Sequence, residues 1–191
     1  MRVVIDIAIA IVVALTLGVS TAWYAIDRGF IFGAVTAGAW TAWPAAGSAD
    51  ADPYSLATLA RTGEVPLGAG EGIAFTADND SAGTPLSGLC TYQVVGQTPA
   101  ARLWTLTAYD DQGRLMINAA RRSGFQSREI LRSPDGSFAV MVSPQVMPGN
   151  WLPVGRVQHF RLVLRLYDTP VTTGSRIADL MMPGIRKVGC R

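Results

Sequence analysis

Ten residues constrain the fold of this chain more than any other stretch: His159-Phe160-Arg161-Leu162-Val163-Leu164-Arg165-Leu166-Tyr167-Asp168. Phe160, Leu162, Leu164 and Leu166 share one parity, and His159, Arg161, Arg165 and Tyr167 share the other. A period of two buries one face of a β-strand and leaves the other polar, whereas a helix would mix the two sets. Asp168-Thr169-Pro170 ends the run, because proline has no N–H to donate to a strand ladder. The stretch predicts an antiparallel sheet with one wetter face, and it carries no chemistry by itself.

A second stretch divides the chain. From Ile7 to Ile26 the sequence reads IAIAIVVALTLGVSTAWYAI without a charged residue. About twenty apolar residues are what a helix needs to cross a ~30 Å hydrocarbon core. Trp23 and Tyr24 fall at its second flank, where amphipathic rings prefer the membrane–water interface. The competing reading is a cleaved signal peptide, since Ser20-Thr21-Ala22 resembles a small-x-small cleavage site. The apolar run is longer than a usual signal h-region, which favours an uncleaved anchor. Arg2 and the amino terminus against Arg28 give a small bias that places the N-terminus in the cytoplasm. The expected organisation is an anchor over residues 1–28, a membrane-proximal linker over 29–51 and a β domain over 52–191. The corresponding arrangement is a single-pass membrane protein with the β domain outside the cytoplasm.

At 191 residues and 49% hydrophobic content, the chain has ample material for a core. The net charge of +2 and a single lysine, Lys187, argue against nucleic acid as a partner. Cys90 and Cys190 are far apart, with no Cys-x-x-Cys and no neighbouring histidine, so they do not describe a metal site. In an exported domain they would close one disulfide around a loop of roughly a hundred residues. The alternative is two unpaired thiols.

Asp52-Pro53 reads as an N-cap with proline at N1, opening a short helix through Arg61 that Gly63 ends. From Glu71 onward, short β-type runs alternate with turn signals, as in an all-β sandwich or barrel. Strands are predicted at 73–77, 89–95, 102–109, 114–117, 128–131, 137–143 and 160–167, with a last one at 185–188. Asp110-Asp111-Gln112-Gly113 and Ser133-Pro134-Asp135-Gly136 supply turns. Trp40 and Trp43 fit either the membrane surface or the folded domain.

The ordered set Trp104-Thr105-Leu106-Thr107-Ala108-Tyr109-Asp110, Asp135-Gly136-Ser137, Asn150-Trp151-Leu152-Pro153 and Phe160 to Tyr167 resembles the domain-of-unknown-function 1214 family. Met182-Pro183 with Ile185 and Cys190 is similar to the close of its shorter, membrane-anchored bacterial members. The resemblance covers roughly 45–190 and implies an antiparallel β-sandwich of jelly-roll type. Larger relatives carry a companion β domain, where this chain has its apolar span. The resemblance supplies no catalytic residues.

Chemical motifs are scarce. There is no Gly-x-Ser-x-Gly elbow, no His-Glu-x-x-His and no Walker loop. Gly68-Ala69-Gly70-Glu71-Gly72 precedes a strand, so it reads as a connector rather than a phosphate cradle at a helix N-terminus. Asp78-Asn79-Asp80-Ser81-Ala82-Gly83 lacks two oxygen ligands of a calcium loop and reads as a solvated hairpin. Tyr92, Trp104 and Trp151 read as core. His159, the only histidine, reads as a structural hydrogen-bonder. Arg161 and Arg165 read as a solvated or salt-bridged outer face, with Asp110, Glu129 or Asp168 as partners. The sharper reading is a polar groove of His159, Arg161, Arg165 and Tyr167 that holds an anionic ligand.

Two function classes follow. The first is a membrane-anchored envelope protein whose exported β-sandwich binds an envelope protein or a polar small molecule. The second is a hydrolase acting on a carbohydrate or other polar envelope substrate. The first is favoured, because no paired carboxylates or nucleophile–base spacing can be named. No catalytic residue, metal or cofactor is expected.

Overall fold

A computed structural model of the chain describes residues 2–27, 32–173 and 177–190. The chain divides into two compact units: Met1–Ala34 with Ala45–Pro66, and Val35–Pro44 with Leu67–Arg191.

The first unit is helical. α1 (Arg2–Asp27) is 26 residues long and buries none of them. At 1.5 Å per residue it spans roughly 39 Å, so it is long and apolar enough to cross a membrane, as an anchor or a signal sequence would be. The Thr16 and Thr21 hydroxyls donate to the Val12 and Leu17 carbonyls at 2.8 Å, closing two polar groups onto the helix itself. α2 (Pro53–Thr62) packs against α1. Its N-cap Asp52 accepts the Tyr54 and Ser55 N–H groups, and Gly63 closes it in the left-handed conformation at φ 68°. Arg61 pairs with Asp27 at 2.7 Å and stacks over the Trp23 ring.

The second unit is two β-sheets on one hydrophobic core. β1 (Val35–Ala37), β2 (Trp40–Ala42), β3 (Gly72–Ala77), β5 (Leu103–Asp110), β6 (Gly124–Gln126) and β9 (Phe160–Tyr167) form a six-stranded sheet in the order β1-β2-β3-β9-β5-β6. β4 (Cys90–Gly96), β7 (Phe138–Ser143), β8 (Asn150–Pro153) and β10 (Gly184–Cys190) form a second in the order β10-β4-β7-β8. β9 is central to the larger sheet, and Phe160, Leu162, Leu164 and Leu166 are all buried. They meet Tyr92, Val94, Val140, Val142, Leu152 and Ile185 of the smaller sheet in a single cluster. Tyr92 packs edge-on against Phe160, and Trp104 lies 4.9 Å from Phe138 between ring centroids. These aromatic pairs join the sheets. Trp151 is only half-buried, because it lies on the outward face of the smaller sheet.

The structure departs from the expected elements in four places. Residues 114–117 and 128–131 are not strands: only Met116 and Ile130 turn inward, while Ile117 is 97% and Leu131 68% exposed. One anchoring side chain per segment does not make an alternating face. The short strand β6 pairs with β5 instead. The expected linker contains the β1–β2 hairpin, which extends the larger sheet and buries Trp40, whose indole donates to the Pro183 carbonyl at 2.7 Å. The sheets are not wholly antiparallel, since β8 runs parallel to β7. The loop 144–149, with Gly149 at φ 75°, doubles back so that Asn150 re-enters beside Val140. Finally, the 78–83 loop is not simply solvated. Asp80 is buried and accepts the Ala82 and Thr84 N–H groups at 2.9 Å, while Ser81 exchanges backbone and hydroxyl bonds with Ile185 on the edge of β10.

Both predicted turns form. Gly113 and Gly136 donate to the Asp110 and Ser133 carbonyls, with φ of 73° and 80° that favour glycine.

Candidate functional site

The outward face of the larger sheet holds most of the residues singled out in the sequence. Across its strands runs the row Thr36, Thr41, Thr76, Val163, Thr107 and Gly124, set by successive antiparallel registers. Branched side chains in such a row make a level surface. Arg161, on the same face, donates to both carboxylate oxygens of Asp78, at 2.7 and 3.3 Å. Asp78 follows Ala77, which pairs with Leu162, so the sheet register delivers this carboxylate beside Arg161. The expected partners are engaged elsewhere: Asp110 pairs with Arg114, Asp168 with Arg102, and Glu129 accepts from Gln126. Arg165 reaches across to the neighbouring strand β5, where it donates to the Tyr109 hydroxyl at 3.0 Å and lies over the Tyr109 ring.

The two arginines are therefore brought to one face but are already satisfied within the sheet. Tyr167 is half-buried between Gly72 and Leu103 on the neighbouring strands. His159 is not the structural hydrogen-bonder expected: it is exposed just ahead of β9 and makes no side-chain hydrogen bond among the described residues. It stands outside the ladder, so no neighbouring strand offers it a partner.

A concave site lies instead at one end of the smaller sheet. A hollow of about 230 Å³ is lined by Leu89, Pro144, Met147, Arg156, Val188 and Cys190, among others. Its walls are held from several directions. Ser143, fully buried, pairs through its hydroxyl with that of Thr91 at 2.9 Å and accepts the Gln145 N–H at 3.1 Å; its carbonyl accepts the Trp151 indole N–H. Gly88 lies so close to 155–157 that a Cβ there would meet the Gly155 carbonyl oxygen at 2.2 Å. Only glycine admits that approach. On the other side, β10 slips register between Lys187 and Gly189, leaving Val188 as the extra residue of a bulge.

Cys90 and Cys190 are directly opposite in the β4–β10 register and are joined as a disulfide, with Cα atoms 3.9 Å apart. The bond fastens the wall of the hollow formed by residues 188–190 to the core side of β4. Among the described residues no cluster of three or more His, Cys, Asp or Glu side chains suits a metal ion.

Neither the pairing of Arg161 with Asp78 nor the hollow was visible in the sequence. The one local signal for the hollow is the proline pair 144 and 148 bracketing a short loop that carries Met147.

A family profile described as "Protein of unknown function (DUF1214)" matches residues 71–171, more than half of the chain. The chain belongs to the DUF1214 family. The matched range opens just before β3 and closes after β9, so the β1–β2 hairpin, β10 and Cys190 lie outside it. Among solved structures, the VPA0106 protein from Vibrio parahaemolyticus is 25% identical with a TM-score of 0.59, over 73% of this chain and 36% of that one. An uncharacterised protein from Burkholderia cenocepacia is 15% identical with a TM-score of 0.44, over 65% of this chain and 32% of that one. The chain thus spans about a third of the length of these solved proteins. No curated protein matches it.

Proposed function

We propose that this DUF1214 chain is a single-pass protein of the bacterial inner membrane, with its N-terminus cytoplasmic and its β domain periplasmic. The β domain is a jelly-roll sandwich that serves as a binding module for an envelope protein or a polar small molecule, with nucleic acid excluded as a partner. The observation that carries this reading is α1: an uncharged run from Ile7 to Ile26 with no buried side chain and with both internal threonine hydroxyls closed onto its own backbone. The disulfide between β4 and β10 supports an oxidising compartment for the second unit. The sandwich assignment rests on the single core that the two sheets share.

Binding is preferred to hydrolysis because glycoside cleavage uses two carboxyl groups about 5–10 Å apart. Among the described residues no carboxylate lines the hollow, and Asp78 on the polar face is held by Arg161.

Fractionation tests the proposal. Full-length protein is expected to remain with membranes after a carbonate wash, and its β domain to be cut by protease added to spheroplasts. A mature soluble form beginning at Trp23 would replace the anchor with a cleaved signal sequence.

A further inference from the structure

We propose that the hollow beside the Cys90–Cys190 bond binds a small amphipathic carboxylate, with Arg156 taking the anionic group and Leu89, Pro144, Met147 and Val188 enclosing a short apolar stem. Among the described residues Arg156 is the one charged side chain in the lining, and it makes no side-chain hydrogen bond or ion pair with them. Arg121 and Arg128 are also unpaired there, yet neither lines this hollow. An arginine fork is matched in shape to a carboxylate, which it can hold through two parallel N–H···O bonds.

The remainder of the wall selects the other end of the ligand. Leu89 is 45% and Val188 59% exposed, and both contribute apolar surface to the lining of the hollow. Bulges commonly sit beside binding sites because they re-aim a side chain, and the β10 bulge falls at Val188 itself. The volume is below the ~300–1,000 Å³ of drug-sized pockets, which limits the stem to a short chain. The walls are fixed in advance by the Ser143 hydrogen bonds, the tight Gly88 contact and the disulfide, so little ordering is left for the ligand to impose.

This inference rests on the binding-module reading and names a ligand class for it; it is independent of the membrane orientation. The test uses full-length protein in nanodiscs with 13C-labelled methyl groups, titrated with sodium hexanoate. Hexan-1-ol and hexylammonium serve as uncharged and cationic probes of the same stem. Hexanoate is expected to shift the Leu89, Met147 and Val188 methyl signals in a saturable manner, and hexan-1-ol to bind about tenfold or more weakly.

Arg156→Gln should weaken hexanoate by a similar factor while leaving the rest of the methyl spectrum in place, and Arg156→Lys should recover part of the loss. As a second variant, Val188→Glu should abolish binding by placing a like charge in the wall. Arg161→Gln should leave it unchanged. Equal binding of hexanoate and hexan-1-ol, full affinity in Arg156→Gln, or no saturable shift would overturn the proposal. Shifts confined to Thr76, Thr105 and Thr107 would also overturn it, while retaining a binding module whose site is the polar face.

Discussion

Arg161 and Arg156 are both arginines at the surface of one domain, and their surroundings could hardly differ more. Arg161 stands on a central strand, where the register of the larger sheet sets a carboxylate beside it. Arg156 stands in a loop at the end of the smaller sheet, against apolar walls and without a charged partner among the described residues. In the regular part of a sheet each side chain has neighbours at fixed spacings, and opposite charges there neutralise one another. Where strands end and loops double back, that spacing is lost and a hollow with an unmatched charge remains.

Several measurements would break or sharpen this contrast. The largest effect is expected from the disulfide. Replacing Cys90 and Cys190 by alanine opens a loop with a sequence separation of 100, and the chain-entropy model puts the loss at about 4–5 kcal/mol. Urea unfolding measures the total. Hydrogen exchange should show the opening concentrated in β10 and the hollow, with the Arg161 face keeping its protection. Uniform loss of protection would mean that the two regions stand or fall together.

Leu164→Ala acts from beneath the other region. The side chain is buried in the shared core, so truncation should cost about 2–5 kcal/mol through lost transfer energy and the cavity left behind. A loss well under 1 kcal/mol in the same urea assay would contradict the central place of β9.

Arg161→Ala should be far milder, within about 1 kcal/mol, since both partners of its ion pair are half-exposed and screened. A larger loss would show that the face does more than neutralise itself.

The smallest effect concerns acid. The Arg114 backbone N–H and guanidinium donate to the Asp110 carboxylate and hold its pKa below the ordinary aspartate value. A depressed folded pKa means that the unfolded chain binds the proton more readily. The contribution is therefore complete above the ordinary value and lost as pH falls through the lower, folded one. An NMR titration should find Asp110 protonating at lower pH than an ordinary aspartate, with the 110–114 turn intact until then. Asp135, held by the Ser137 hydroxyl and N–H, should behave in the same way.

The sequence made β9 legible because four large apolar residues share one parity and no other element can bury them together. Cys90 and Cys190 were legible as a pair once the apolar span implied export. The β1–β2 hairpin was not, because three-residue strands of valine, threonine, alanine and tryptophan interrupted by Gly38 offer too few positions to establish a period. Nor was the direction of β8, which depends on the path of loop 144–149 rather than on any alternation. The candidate sites were hidden for the same reason. Asp78 meets Arg161 across 83 positions of sequence, and Arg156 faces residues from β4, β10 and the loop before β8 only after both sheets have formed.

The disulfide also orders events in time. Chains grow at about 5–20 residues per second, so the interval between making Cys90 and making Cys190 is roughly 5–20 seconds. Throughout it β4 lacks the strand on one side, and the Cys90 thiol has no partner of its own. Any other thiol or oxidant nearby competes for it during that wait. The wall of the hollow is therefore among the last parts of this domain to be completed, and a chain capped early at Cys90 would leave that wall unfastened.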